Sequence, residues 1–172
     1  MRELGLDLSD LDRLLGDVVL EGEIARTAQA LVFRIRTGAN GGSGGRPLAL
    51  KVARRPGDAE DLARFRHEAR LLSETRHPNV IEVYDFGVLP GDLPFLTMEL
   101  LSGESVSDHL RGRGWDVFGE AALQAAAGLA HIHRQGVIHM DLKPANLGLA
   151  GGGPAGGRDG HPDGHPDSRP VL

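Results

Sequence analysis

The 172-residue sequence contains no cysteine. That absence excludes a disulfide framework, a thiolate nucleophile and a cysteine zinc site. Basic charge is not in excess either. The formal net charge is −5, so the electrostatic footprint of a nucleic-acid binder is not expected. No apolar run approaches the ~20 residues that span a bilayer. The longest stretch, AALQAAAGLAHI, is alanine-rich and interrupted by Gln124 and Gly128. The opening MRELGLDLSDLDRLLGD is acidic and lacks the apolar core of a signal peptide. A soluble, cytoplasmic protein without a membrane segment is the expectation.

Glycine is what the sequence has in plenty, at 25 residues, but its distribution is uneven. Five lie in GANGGSGG at 38–45 and seven in GGGPAGGRDGHPDGHPDS at 151–168; elsewhere the frequency is ordinary. The sequence therefore reads as one globular domain of moderate size, interrupted by a loose loop at 38–45 and by a second loose segment near its end. In that second segment the tandem GHPDGHPD sets out His161, Asp163, His165 and Asp167. These types can chelate a divalent metal, but proline content and the lack of a supporting shell favour a solvated low-complexity loop.

Patterning places the elements. Residues 9–15 read as a short helix or lead-in with Ser9 as cap. Alternating apolar residues predict strands over 17–22, 30–36 and 47–53. Residues 58–76 form the clearest helix, with Asp58 as cap and Leu62, Phe65, Ala69 and Leu72 as its apolar stripe; Glu68 lies at the edge of that stripe. NVIEVYDFG and LPFLTMEL read as strands joined by a PGDLP turn. Helices are expected over 105–111 and 116–135, followed by VIHMDLKPANLGLA as strand, polar loop and strand. Strands come first and helices later, which argues for an α+β fold.

The segment His139-Met140-Asp141-Leu142-Lys143-Pro144-Ala145-Asn146 resembles the catalytic loop H-R-D-x-x-x-x-N of eukaryotic-type protein kinases. The resemblance implies that Asp141 accepts the proton of a substrate hydroxyl, that Lys143 neutralises the γ-phosphate of ATP, and that Asn146 offers its side-chain oxygen to Mg²⁺. Ala49-Leu50-Lys51 resembles the lysine strand of the same family. Glu68, on the next helix, resembles the glutamate that fixes that lysine against the α/β-phosphates. FLTMELLSGESV resembles the gatekeeper and hinge. Met98 would be the gatekeeper, Glu99 and Leu101 would present backbone C=O and N–H to adenine, and Val32 and Ala49 would form an apolar roof. Asp85-Phe86-Gly87 precedes the catalytic loop and so is not the family's metal-binding DFG, which follows it.

The resemblance covers roughly 15–150 and implies a complete small lobe over about 15–98, a hinge at 99–103 and the start of a helical large lobe at 104–150. The DLKPxN form is similar to bacterial-style serine/threonine kinases, which implies ATP and Mg²⁺ as cofactors and a protein hydroxyl as substrate. A pseudokinase-like binding module and an aminoglycoside-type phosphotransferase are the alternatives.

Four departures stand out. The phosphate loop G-x-G-x-x-G-x-V aligns with 25–32, where Ala25, Thr27 and Ala30 replace all three glycines and Val32 keeps the valine. Glycine lets loop N–H groups approach phosphate closely, so weakened ATP binding is expected. Met140 replaces the arginine that pairs with a phosphorylated activation loop, and Gly148 stands where a larger apolar residue floors the adenine site. Finally, the best alignment makes NLGLA one hairpin strand, 151–168 an expanded loop, and Arg169-Pro170-Val171-Leu172 the start of the partner strand. The metal-binding aspartate would come just after it. Without that aspartate the 172 residues are expected to have little or no transfer activity alone, and the helix at 116–135 to expose an uncovered apolar face.

Overall fold

The computed structural model describes residues 18–38, 45–101, 106, 110–138, 142–143, 147–150 and 169–171. The lead-in helix expected at 9–15, most of 105–111 and the tail at 151–168 lie outside the described residues. The chain divides into two compact units: one of residues 1–74 and 82–100, the other of 75–81 and 101–172.

The first unit is an antiparallel sheet of five strands in the order β1-β2-β3-β5-β4, with one helix. The strands are β1 Val18–Arg26, β2 Ala30–Thr37, β3 Arg46–Ala53, β4 Val83–Leu89 and β5 Leu93–Glu99; the helix is α1, Ala59–Glu74. Register decides which side chains share a face. Leu31, Phe33 and Ile35 of β2 sit opposite Val52, Leu50 and Leu48 of β3. These six, with Val18, Leu89, Leu93 and Phe95, form one buried apolar cluster. The alternation along β2 and β3 is therefore the pattern of a sheet with one closed face.

α1 starts where its sequence says. The Asp58 carboxylate accepts a hydrogen bond from the Asp61 N–H at 2.9 Å, satisfying a donor that the first turn leaves open. Leu62 and Ala69 are buried, and Phe65 and Leu72 half-buried. The turn from β4 to β5 carries two consecutive left-handed residues, Gly91 (φ 79°) and Asp92 (φ 55°). Glycine and aspartate are types that tolerate this conformation, which suits the twist of a hairpin.

Two strands differ from expectation. β1 runs to Arg26 rather than residue 22 because it carries irregularities between Leu20 and Gly22 and between Glu23 and Ala25. Each shifts the side-chain parity, so a simple alternation cannot reveal the whole strand. β4 begins at Val83, not residue 79. Asn79 N–H donates to His77 Nδ1 (3.1 Å) and Val80 N–H to the His77 carbonyl (3.0 Å), so these residues close a turn instead.

The second unit centres on α2, Trp115–Arg134. The segment at 75–81 is fastened to it: Thr75 Oγ1 bonds Gln135 Oε1, Asn79 Nδ2 donates to Gln124 Oε1 at 3.2 Å, and the His77 and His131 rings lie 4.8 Å apart. A hairpin of β6 (Gly148–Ala150) and β7 (Arg169–Val171) pairs Gly148 with Val171 and Ala150 with Arg169, and β7 packs along α2. This is the pairing expected of NLGLA with RPVL. Val137 and Ile138 are not a strand, contrary to expectation; Val137 is buried and Ile138 exposed. Trp115, Phe118, Leu123, Ile138 and Leu142 are large apolar side chains left exposed in this unit.

Candidate nucleotide and catalytic site

The sheet brings five of the candidate residues onto the face opposite the closed core. Ala25 pairs with Val32 across β1 and β2, and Val32 pairs with Lys51 across β2 and β3. Ala49 pairs with Met98 across β3 and β5. Direct partners share a face, as do residues two apart on a strand. Val32, Ala49 and Met98 thus make an apolar strip beside Lys51; Arg34, the direct partner of Ala49, shares the face and is held by Glu21 at 2.6 Å. Ala49 is 3% exposed, and its small side chain keeps the strip low. Such a strip next to a cation suits a flat apolar ring carrying anionic groups.

Lys51 itself is exposed, while Glu68 is half-buried on α1. Among the described residues no ion pair joins the two. The acidic side chains that α1 does pair are at its ends and bind within the helix: Glu60 with Arg64 at 3.0 Å and Glu74 with Arg70 at 3.2 Å. The lysine–glutamate pair implied by the resemblance is therefore open in this arrangement.

Thr27 and Ala30 flank a two-residue turn at the tip of the β1–β2 hairpin. Thr27 Oγ1 accepts from the N–H of Ala30 at 3.0 Å and of Gln29 at 3.2 Å. Thr27 N–H donates to the Ala30 carbonyl at 2.9 Å. No residue of 25–30 has a positive φ, so alanine and threonine fit this turn without backbone strain. Loss of glycine here goes with a different, self-bonded turn rather than with a strained one. The following segment braces it: Arg54 N–H donates to the Gln29 carbonyl at 2.9 Å and Arg54 Nη1 to the Thr27 carbonyl at 3.2 Å. Thr27 is a candidate by its place in the phosphate loop, but the bonds of its hydroxyl within the turn and the brace from Arg54 do not stand out in the sequence. A threonine opening a tight turn was the available signal, since its hydroxyl bonds backbone N–H groups two or three residues on.

Glu99 ends β5 half-buried, its N–H held by the Glu82 carbonyl at 2.8 Å. Leu101 belongs to the second unit, where its side chain fills the space a Cβ at Gly148 would enter. The glycine at 148 therefore leaves no hole at that point: Leu101 occupies it. Of the catalytic-loop residues, Lys143 is described and exposed, whereas Asp141 and Asn146 lie outside the described residues, as do His139 and Met140.

Three groups among the described residues titrate away from their ordinary values, and one of them, Glu21, is paired with Arg34 and Arg36 of this face. Burial, then the bond to Glu82, raises the Tyr84 phenol to about 12. Burial, reinforced by the neighbouring His131 and Arg134, lowers His77. Arg36 foremost, with Arg34, lowers the exposed Glu21.

The ordering of these residues along the chain has counterparts in other proteins. The family model described as "Protein kinase domain" matches residues 34–151. The serine/threonine-protein kinase pkn2 of Myxococcus xanthus is 42% identical over 111 residues, covering 60% of this chain and 13% of that protein. The serine/threonine-protein kinase PkaA of Streptomyces coelicolor is 37% identical over 141 residues, covering 75% and 26%. The chain thus spans about a quarter or less of the curated relatives it matches best in length. The crystal structure of the Mycobacterium tuberculosis PknI kinase domain superposes with a TM-score of 0.66 at 24% identity, over 98% of this chain and 60% of that one; at that identity the likeness speaks to fold. With the family pattern matched over more than half its length, this chain belongs to the protein kinase family.

Proposed function

We propose that this chain carries the nucleotide-holding unit and the beginning of the catalytic unit of a cytoplasmic serine/threonine protein kinase, which transfers the ATP γ-phosphoryl group to a protein hydroxyl. The observation that carries the reading is the register of β2, β3 and β5, which aligns Val32, Ala49, Lys51 and Met98 on one face. The printed names of the similar bacterial proteins, serine/threonine-protein kinases, support the substrate class.

When bound, Mg-ATP supplies the transferable phosphoryl group and the metal's charge neutralisation. The chain's own residues do the rest. Val32, Ala49 and Met98 exclude water from the adenine, and the Glu99 carbonyl and Leu101 N–H orient it. Lys51 holds the α/β-phosphates, and Glu68 restrains Lys51 once their ion pair closes. Asp141 takes the hydroxyl proton, Lys143 offsets charge at the phosphoryl group, and Asn146 is the ligand for one Mg²⁺. The 172 residues hold no aspartate aligned with the family's second metal ligand, so transfer by this chain alone is expected to be very weak. Missing electrostatic stabilisation is the reason.

Calorimetry with Mg-ATP tests the reading. Binding that Lys51→Met weakens and Asp141→Asn retains is expected. Binding indifferent to Lys51→Met would overturn it. A second reading, a pseudokinase-like binding module, is favoured by the self-bonded turn at Thr27 and the open Lys51–Glu68 pair. Absence of any Mg-ATP binding would select it.

A further inference from the structure

The turn that takes the place of the phosphate loop already contains an acceptor. Of the N–H groups at 27–30, those of Gln29 and Ala30 go to Thr27 Oγ1 and that of Thr27 goes to the Ala30 carbonyl. Of these four N–H groups, only that of Ala28 has no partner among the described residues. A phosphate approaching this turn therefore meets donors that are already satisfied. Oxygen of the threonine hydroxyl stands where an anion's oxygen would otherwise gather two adjacent backbone N–H groups, the arrangement by which consecutive amides bind anions.

We propose that Thr27 is a built-in competitor for the nucleotide phosphates: its hydroxyl occupies the backbone donors of Gln29 and Ala30 and sets the chain's affinity for the phosphate part of its ligand. This rests on the nucleotide reading above. The residue acts through the loop backbone and is a positioning residue, not a catalytic one. Two further bonds keep the occupied form in place. In a simple two-residue hairpin the Ala30 N–H would bond the Thr27 carbonyl. Here the hydroxyl takes that N–H, and the carbonyl, released, accepts from Arg54 Nη1 instead. Arg54 N–H also holds the Gln29 carbonyl. Arg54 lies three residues after Lys51, so the brace ties the occupied turn to the strand that carries the phosphate-binding cation.

The consequence is selective. Adenosine has no phosphate and should not sense Thr27, whereas ATP should. Thr27→Ala removes the hydroxyl, keeps the Cβ and frees the Gln29 N–H, while the Ala30 N–H can return to the carbonyl of residue 27. Thr27→Ser keeps the hydroxyl. The experiment measures ATP and adenosine affinities of the full 172-residue chain by calorimetry, together with amide hydrogen exchange at Gln29 without ligand. Thr27→Ala is expected to bind ATP about tenfold more tightly, the scale of hydrogen bonds made to a charged group less those it replaces. Its adenosine affinity should be unchanged, Thr27→Ser should match the wild type, and the exchange protection of Gln29 should be lost in Thr27→Ala alone. ATP bound by Thr27→Ala as weakly as by the wild type, or more weakly, overturns the proposal and leaves the nucleotide reading standing. So does equal tightening for adenosine, or protection of Gln29 that survives Thr27→Ala. No binding of either ligand by any variant overturns both.

Discussion

The two units bury their apolar residues to very different extents. In the sheet unit, Leu31, Ile35, Leu50 and Val52 are each 0% exposed, and the closed face runs from Val18 on β1 to Phe95 on β5. In the helical unit, Trp115 is 85% and Leu123 74% exposed, although both lie on the 20-residue helix that organises it. The difference has a physical origin. Antiparallel strands joined by short turns bring apolar faces together from neighbours close in sequence. A single long helix can bury a full stripe only against several other elements. Among the described residues, α2 has β7 and the 75–81 segment against it. The unit nearest to self-sufficiency is thus the one that carries the proposed nucleotide face.

The sharpest way to break that contrast is to make the same cut in both units. Leu50→Ala empties a fully buried site and should cost about 3 kcal/mol. Leu123→Ala removes a side chain that already meets solvent and should stay within about 0.5 kcal/mol of zero. Urea unfolding followed by circular dichroism reads both. Equal losses would mean that α2 buries Leu123 against something in solution and that the contrast is wrong.

The helix starts provide a second, smaller comparison. α1 is capped by the Asp58 carboxylate; α2 begins at Gly114, which makes no side-chain capping bond. Asp58→Ala should therefore cost about 1 kcal/mol, whereas Gly114→Ala has no capping bond to lose. A null result for Asp58→Ala, measured by the same unfolding experiment, would show that the exposed cap is satisfied equally well by water.

Much of the sheet unit was legible in the sequence because its periodicities are strong and local. Leu31, Phe33 and Ile35 alternate, and Asp58 precedes two acids and an apolar stripe. In the helical unit, the pairing of NLGLA with RPVL was implied by the family's hairpin after the catalytic loop. What escaped were features that depend on a neighbour across space. The irregularities in β1 hide its last four residues because each one resets parity against β2. The turn at Asn79 is stabilised by the ring nitrogen and carbonyl of His77, which no periodicity records. At the candidate site, the resemblance to the kinase family singled out Lys51, Val32, Ala49 and Met98. It could not say that Lys51 and Glu68 would be left apart, because that depends on how α1 sits against β4 and β5. Nor could it say that Thr27 would turn its hydroxyl inward onto two N–H groups. The three missing glycines marked the place; the hydrogen bonds explain what the replacement does.

Titration gives the finest separation of the two units. In the sheet unit, the Tyr84 hydroxyl donates to Glu82 Oε2 at 2.8 Å and accepts from Arg46 Nη2 at 2.5 Å, with the guanidinium 4.0 Å from the ring centroid. Burial and the Glu82 carboxylate favour the neutral phenol and carry its pKa from 10.0 to about 12. The unfolded chain thus releases this proton first, and stability drawn from Tyr84 is complete below pH 10 and declines from there towards pH 12. In the helical unit, His77 is held neutral by burial, by the facing His131 and by Arg134. Here the unfolded chain takes up the proton first, near its ordinary 6.5. Stability drawn from His77 is therefore full above that pH and is lost as the pH falls through the depressed folded value. The sequence has a single tyrosine, so phenolate absorbance follows Tyr84 without interference, and the imidazole proton resonances of His77, assigned with His77→Gln, follow the other group. Expected are a phenol midpoint near 12 in the folded chain and a His77 midpoint below that of an exposed histidine. A phenol midpoint at 10 would mean that the Tyr84 ring is neither buried nor bonded to Glu82. A His77 midpoint at its ordinary value would mean that the 75–81 segment is not held against α2.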